Sequence, residues 1–262
     1  MPSAVAFIPA RHGSKRVPGK NVRMLNGHPM IAYTIVPALE SGVFDAVMVS
    51  TDSEEVAAIA RYYGAEAPFL RPAEHAGDTS PDIGWLEHAL VTLRSAGRQW
   101  DCFSLLRPTS PFRTADTIRR AWAQFTSQQG VDSLRAVEKC AQHPGKMWIV
   151  RGDRMFPLLP FGLASPKSSG EGGPAEQPWH STPYQALPPV YVQNASLEMA
   201  WTRVVFERRT IAGDVLVPFL TDGYEGFDIN DPHDWMIAER LIADGLARLP
   251  QVAQAPYGAV NA

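Results

Sequence analysis

The strongest constraint on this chain is an alternation. Short apolar runs of strand length recur along it: 4–10, 45–50, 65–70, 101–108, 131–138, 190–201 and 214–220. Between them lie longer segments with helical apolar spacing, at 28–42, 52–64, 81–97 and 114–128, and a last one at 232–249. Strands alternating with helices of this length make βαβ units, hence a mainly parallel sheet flanked by helices, with right-handed crossovers. The expected class is α/β with a Rossmann-like sheet. Local signals sharpen the boundaries. Asp52 and Glu55 stand at capping-box spacing and Gly64 is a helix stop. Thr114 opens the next-to-last helix, and Asp231 caps the final one.

At 262 residues and 45% hydrophobic, the chain can fill the core of one large domain. The expected organisation is a single domain over 1–250, an embedded insertion at 140–190 and a flexible tail at 251–262. Residues 158–189, rich in proline, glycine and serine, show no regular pattern, which is unusual for so long a stretch inside a domain. A net charge of −3 lacks the broad basic footprint of a nucleic-acid protein. No apolar stretch is long enough to span a membrane, and no secretory leader precedes the first run. Cys102 and Cys140 match no metal or redox spacing. These features predict a soluble cytoplasmic protein with free thiols.

Against that acidic background, "IPARHGSKRVPGKN" (8–21) concentrates Arg11, Lys15, Arg16 and Lys20 directly after the first strand. A parallel strand ending in such a loop points backbone N–H groups and cations into the crevice where open α/β sheets bind ligands. Gly13 allows close approach of a phosphate, Arg11 offers a planar fork, Lys15 and Lys20 are point charges, and Asn21 can read a polar edge. The loop is neither a P-loop nor a G-x-G-x-x-G turn. A solvated basic turn would account for it in isolation. Three further loops gather at the same rim: "VSTDS" (49–53), "RPAEHAGDTSPD" (71–82), with Arg71 and Asp78-Thr79-Ser80, and "LLRPTSPFRT" (105–114), whose turns are expected to expose Arg107, Thr109, Ser110 and Arg113. In "EGFDINDPHDW" (225–235), Asp228 and Asn230 alternate on an extended segment and share a side. Hard oxygen ligands of this kind suit Mg²⁺, which bridges to substrate phosphates.

These stretches, with "STDSEEVAAIARYYGAE" and "YVQNASLEMAW", resemble in sequence and in order the signature blocks of the CMP-sugar synthetases, the cytidylyltransferases that activate N-acylneuraminate, Kdo, legionaminate and pseudaminate. The likeness runs from about residue 4 to 245. It implies a nucleotidyltransferase sheet with a small dimerisation subdomain. It also implies Mg²⁺ as cofactor, and CTP and an acidic sugar as substrates of a homodimer. Some relatives use GTP, so the base stays open here, and so does a neutral or phosphorylated sugar in place of the acidic one. So does a paralogue that binds nucleotide without catalysis. The implied catalytic set is Arg11, Lys15, Lys20 and Asp228. The implied nucleotide contacts are Ala10, Arg11, Gly13, Ser14, Lys15, Asn21, Arg71, Asp78 and Ser80. The sugar side comprises Arg107, Thr109, Ser110, Lys146, Gln193 and Asn194, and the metal pair is Asp228 and Asn230. The chain departs from the pattern at three points. Asn230 replaces the second aspartate of D-x-D, Arg107 stands where sialate enzymes usually carry glutamine, and Ala195 stands where they carry glycine. Residues 178–189 hold no Arg or Lys, so Arg107 or Lys146 would have to supply the cation that an acidic sugar needs.

Overall fold

The computed structural model describes residues 1–13, 16–159 and 177–258. Their elements run β1 (Ala4–Pro9), β2 (Met24–Leu25), β3 (His28–Pro29), α1 (Ala32–Glu40), β4 (Ala46–Ser50), α2 (Glu54–Tyr62), α3 (Asp82–Ser95), β5 (Cys102–Leu105), α4 (Ala115–Ser127), β6 (Ser133–Lys139), β7 (Trp148–Arg151), β8 (Arg154–Pro157), β9 (Tyr191–Trp201), α5 (Arg203–Arg208), β10 (Leu216–Leu220) and α6 (Pro232–Ala243). The central sheet has the order β10-β6-β9-β5-β1-β4. β1 pairs in parallel with both β4 and β5, and β6 with β10, while β9 runs antiparallel to β5. The mainly parallel α/β class is thus observed.

Alternation along β1 divides the core. Ala4, Ala6 and Ile8 pack with Ile35 of α1, Ile59 of α2 and Phe125 of α4 on one face. Val5 and Phe7 pack with Trp85, Leu86 and Leu90 of α3 on the other. Each such large side chain contributes about 1.5–3 kcal/mol when taken fully out of water. A third cluster, including Leu25, Tyr33, Phe112, Ile229 and Trp235, anchors α6 beside the opening loop.

The chain forms two compact units, 1–137 with 193–262, and 138–192. The second contains the β7–β8 hairpin, which the sequence reading missed, and single helical turns at Trp179–Ser181 and Tyr184–Ala186. Within it, His143 accepts from the Gly145 N–H at 3.0 Å and packs its ring against Trp179 and Tyr184. Of the stretch expected to be irregular, 160–176 lies outside the described residues.

Several expectations need correction. Residues 65–70 do not form a strand; Met48 and Glu66 make one isolated bridge. The cap of α2 is Ser53, whose hydroxyl accepts from the Val56 N–H. Asp52 instead accepts from the His12 N–H at 2.7 Å, tying the β4 exit to the opening loop. The first helix begins at Ala32 because His28–Pro29 closes a tight hairpin with Met24–Leu25 across Asn26 and Gly27, both at positive φ. The last helix stops at Ala243, before Gly245 at φ +67°. Asp231 caps it with a complete capping box, as expected. Residues 250–258 carry no helix or strand, but the Tyr257 N–H donates to the Tyr63 hydroxyl and Tyr62 donates to the Ala255 carbonyl. No helix among the described residues is long and apolar enough to cross a membrane. Cys102 is buried in β5, where desolvation pushes its thiol up to about 12.

Candidate active site

Because β1, β4 and β5 are parallel, their carboxyl ends meet at one rim. There a cavity of about 550 Å³ opens, lined by the β1 loop (Pro9, Arg11, Arg16, Lys20, Asn21), the 71–82 loop (Arg71, His75, Gly77, Asp78, Ser80, Asp82), the β5 exit (Arg107, Pro108, Thr109) and the 228–230 segment (Asp228, Asn230). Three of the four loops expected at the rim line it, joined by the 228–230 segment; of 49–53 no residue is among the lining, Ser50 and Asp52 instead bonding to Arg71 and to the His12 N–H.

The β1 side is rich in cations: Arg11, Arg16, Lys20 and Arg71 line it. Arg11 pairs with Asp78 at 2.5 Å, both partly exposed. Such a bridge in contact with water holds little energy and yields readily to a more highly charged ligand. Arg16 reaches the Asn230 amide oxygen at 3.5 Å. Lys20 is buried and donates to the Ile229 carbonyl at 2.7 Å, which stitches the opening loop to the 228–230 segment. Desolvation lowers the Lys20 pKa, with Asp228 acting in the opposite direction. Asn21 donates to the Arg11 carbonyl at 3.3 Å and braces the loop. Arg71, buried, donates to the Ser50 hydroxyl and carbonyl at 3.1 and 2.9 Å and lies 4.7 Å above the Trp85 ring. Burial lowers it to about 10.

The β5 side is built differently. Arg107 Nη2 donates to Asp82 at 2.6 Å and to Glu198 at 2.8 Å. Glu198 lies on β9, is 3% exposed and also pairs with Arg135 of β6. Burial pushes against ionisation of Asp82, but Arg107, the Trp85 indole N–H and Arg71 together hold its pKa below the usual value. Beneath them Arg113 is wholly buried, contrary to the expectation that the turns expose it. It donates to the Ser196 and Arg107 carbonyls and to the Thr34 hydroxyl, and among the described residues no carboxylate pairs with it. Desolvation lowers it to about 9.

The remaining predicted residues divide. Thr109 lines the cavity and its carbonyl accepts from the Ile229 N–H at 2.9 Å. Ser110 is fully buried, its hydroxyl without a partner among the described residues, so it does not face the cavity. Ala10 is buried behind the rim, its N–H on the Ser50 carbonyl, and Gly13 is exposed in the loop. Ser14 and Lys15 lie outside the described residues. Gln193 and Asn194 are not among the lining residues; Asn194 donates to the Thr221 hydroxyl. Lys146 belongs to the second unit, where it donates to the His180 carbonyl. The sequence reading passed over Arg16, His75, Asp82 and Glu198 as site residues.

Asp228 is the candidate for a cation. Its Oδ2 accepts from the Asn230 amide at 2.7 Å, while its Oδ1 is buried with no hydrogen-bond partner among the described residues. An orphaned carboxylate oxygen inside a cationic cavity fits a metal ligand. No cluster of three or more His, Cys, Asp or Glu able to hold a metal occurs among the described residues. Magnesium takes one or two carboxylates and completes its shell with substrate phosphates and water, and Asp228 would be the carboxylate here. Asn230, as placed, orients Asp228.

A twisted, mostly parallel sheet with a cationic crevice at its carboxyl edge is an arrangement of nucleotide-binding α/β proteins. Residues 5–81 match the profile of a family described as cytidylyltransferase. The chain is 35% identical over 244 residues to a CMP-N,N'-diacetyllegionaminic acid synthase of Legionella pneumophila, covering 91% of this chain and 95% of that one. It is 37% identical over 134 residues to a pseudaminic acid cytidylyltransferase of Campylobacter jejuni, covering 51% of this chain and 58% of that one. In structure it resembles a CMP:2-keto-3-deoxy-manno-octonic acid synthetase complexed with CTP, with a TM-score of 0.63 at 14% identity over 93% of this chain and 99% of that one. The chain belongs to the CMP-sugar synthetase family of cytidylyltransferases.

Proposed function

We propose that this protein joins CTP to a nonulosonic, sialic-acid-like sugar, giving a CMP-sugar and pyrophosphate. The observation that carries the reading is the convergence of Arg11, Arg16, Lys20 and Arg71 on one cavity that also holds the orphaned Asp228 oxygen. A triphosphate needs several cations, and this rim gathers four, three of which hydrogen-bond to neutral groups among the described residues. The anomeric hydroxyl of the sugar attacks the α-phosphorus, the bond to the β-phosphate oxygen breaks, and the hydroxyl proton is released. The chain contributes positioning and charge. Lys20 and Arg11 face the phosphates, Arg16 adds charge at the same rim, and Arg71 with Asn21 and Ser80 frames the nucleoside. Lys15 of the same loop belongs to this set. Magnesium, when bound, neutralises phosphate charge, and Asp228 would be its protein ligand.

The second unit exposes Trp148, Ile149, Val150, Met155 and Phe156 on its hairpin. These bare apolar side chains support its reading as the dimerisation insertion. Light scattering should return twice the 28.8 kDa chain mass; a monomer at working concentration would overturn that part. The free thiols and the need for CTP favour action in the cytoplasm.

The test is pyrophosphate release from CTP, GTP, UTP and ATP in turn, each with magnesium and N,N'-diacetyllegionaminic, pseudaminic or N-acetylneuraminic acid. Release with CTP and one of these acids is expected. Silence with every pair, alongside tight CTP binding by calorimetry, would replace the reading with a non-catalytic nucleotide binder.

A further inference from the structure

The two sides of the cavity handle charge differently, and one buried residue explains how. Arg107 is the cation that faces the cavity from the β5 side. It uses a single nitrogen, Nη2, for both of its carboxylates. Its Nε and Nη1 have no acceptor among the described residues, which leaves those donors for a ligand. One of the two carboxylates, Glu198, sits in the middle of a central strand, almost without solvent. Its other oxygen faces Arg135, itself buried and lowered to about 10 by desolvation and by the neighbouring Arg107. An isolated carboxylate would be expensive there; two guanidiniums make it tolerable. Asp82 closes the cluster by accepting from both Arg107 and the Trp85 indole that carries Arg71. Two carboxylates, Asp82 and Glu198, therefore stand against two guanidiniums, Arg107 and Arg135, and Arg71 of the opposite rim acts on Asp82 as well.

We infer that Glu198 is a positioning residue for recognition of the sugar's acidic group: shared between Arg107 and Arg135, it fixes Arg107 with its unbonded donors presented to the substrate carboxylate. The inference rests on the CMP-sugar reading above. Glu198 touches no substrate; it acts through Arg107. With Glu198 ionised, Arg107 is held in one orientation, with its unbonded donors at the cavity surface. Without it, Arg107 and Arg135 share only Asp82, repel one another, and Arg107 loses its fixed direction.

The experiment is steady-state kinetics with CTP and N,N'-diacetyllegionaminic acid, and with the methyl ester of the same acid, on wild type, Glu198→Gln and the double variant Glu198→Gln/Arg135→Met. Wild type should prefer the acid to the ester. In Glu198→Gln the KM for the acid should rise about tenfold and the acid-to-ester preference should collapse, while the KM for CTP changes less than about twofold. The double variant restores the charge balance and should recover the preference to within about threefold of wild type, because the two sites couple. Thermal melts of each variant report folding separately. A wild type that does not distinguish acid from ester would overturn the inference and leave the reaction intact. So would a Glu198→Gln variant in which both KM values and the melting temperature move together. A wild type silent with both sugars would instead overturn the reaction itself.

Discussion

The β1–β4 rim and the β5–β9 rim of one cavity both carry arginines and use them differently. On the first, among the described residues, Arg16 and Lys20 hydrogen-bond to an amide and a carbonyl, Arg71 to a serine, and Arg11 to a carboxylate in contact with water, while Asp228 and Asp234 act on Lys20 through space. On the second, Arg107 and Arg135 lock onto Asp82 and Glu198. On the rim proposed to receive the triphosphate, three of the four described cations, Arg16, Lys20 and Arg71, hydrogen-bond to neutral groups, so that a ligand can supply the anions. A surface that must read one acidic group gains more from a fixed direction than from charge.

Substitutions can break this contrast. The largest effect is expected where charge is unshared. Lys20→Met or Asp228→Asn should lower kcat/KM by about 10²–10³, the range for removing one preorganised charge from a reaction centre. Near-normal turnover in either would mean that the first rim is scaffolding. Next comes Arg71→Lys. A point charge cannot bond both Ser50 oxygens and also cover Trp85 in the same pose. The CTP KM should rise by about one to two decades at an unchanged sugar KM, a split readable by initial rates. Arg107→Gln should do the converse, raising the sugar KM about tenfold with CTP unaffected.

Lys20 also sets a pH dependence. Burial lowers its pKa, so between the folded value and 10.5 the unfolded chain binds more protons, and this residue's contribution to stability grows as pH rises. Activity needs the charged form and runs the other way. Its alkaline limb should fall below pH 10.5, and Lys20→Arg should move that limb upward; a pH–rate profile shows either result. The smallest change lies outside both rims. Ser53→Ala removes the cap of α2 and should cost about 1 kcal/mol in a denaturant melt without altering kinetics.

How much of this could be read from residues alone follows the same division. The first rim is local: turn residues and cations packed into 8–21 announce an anion loop before any fold is known. The metal candidate Asp228 is legible for a similar reason, in its alternation with Asn230. The second rim is assembled across strands. Asp82 and Glu198 are 116 positions apart, and although each lies within a quoted block, nothing in either block links the two. A signal did exist. Arg135 and Glu198 are charges set inside the apolar runs "SLRAVE" and "NASLEMAW", and a charge inside a central strand demands a buried partner. Sequence spacing could not say which partner, because that depends on strand order. Arg113 misled for the complementary reason: its turn-rich neighbourhood suggested solvent, while the surrounding packing carried it into the core. The cap of α2 slipped by one residue because Asp52 had a longer-range partner in the His12 N–H.

The central claim is that the two rims bring a sugar hydroxyl to the α-phosphorus of CTP. It is tested most directly by supplying N,N'-diacetyllegionaminic acid labelled with ¹⁸O at the anomeric hydroxyl, together with CTP and magnesium, and weighing the product by mass spectrometry. The account predicts a CMP-sugar that retains the heavy oxygen in the bridge to phosphorus, with unlabelled pyrophosphate. A CMP-sugar that has lost the label, or labelled sugar recovered unchanged beside intact CTP, would contradict it.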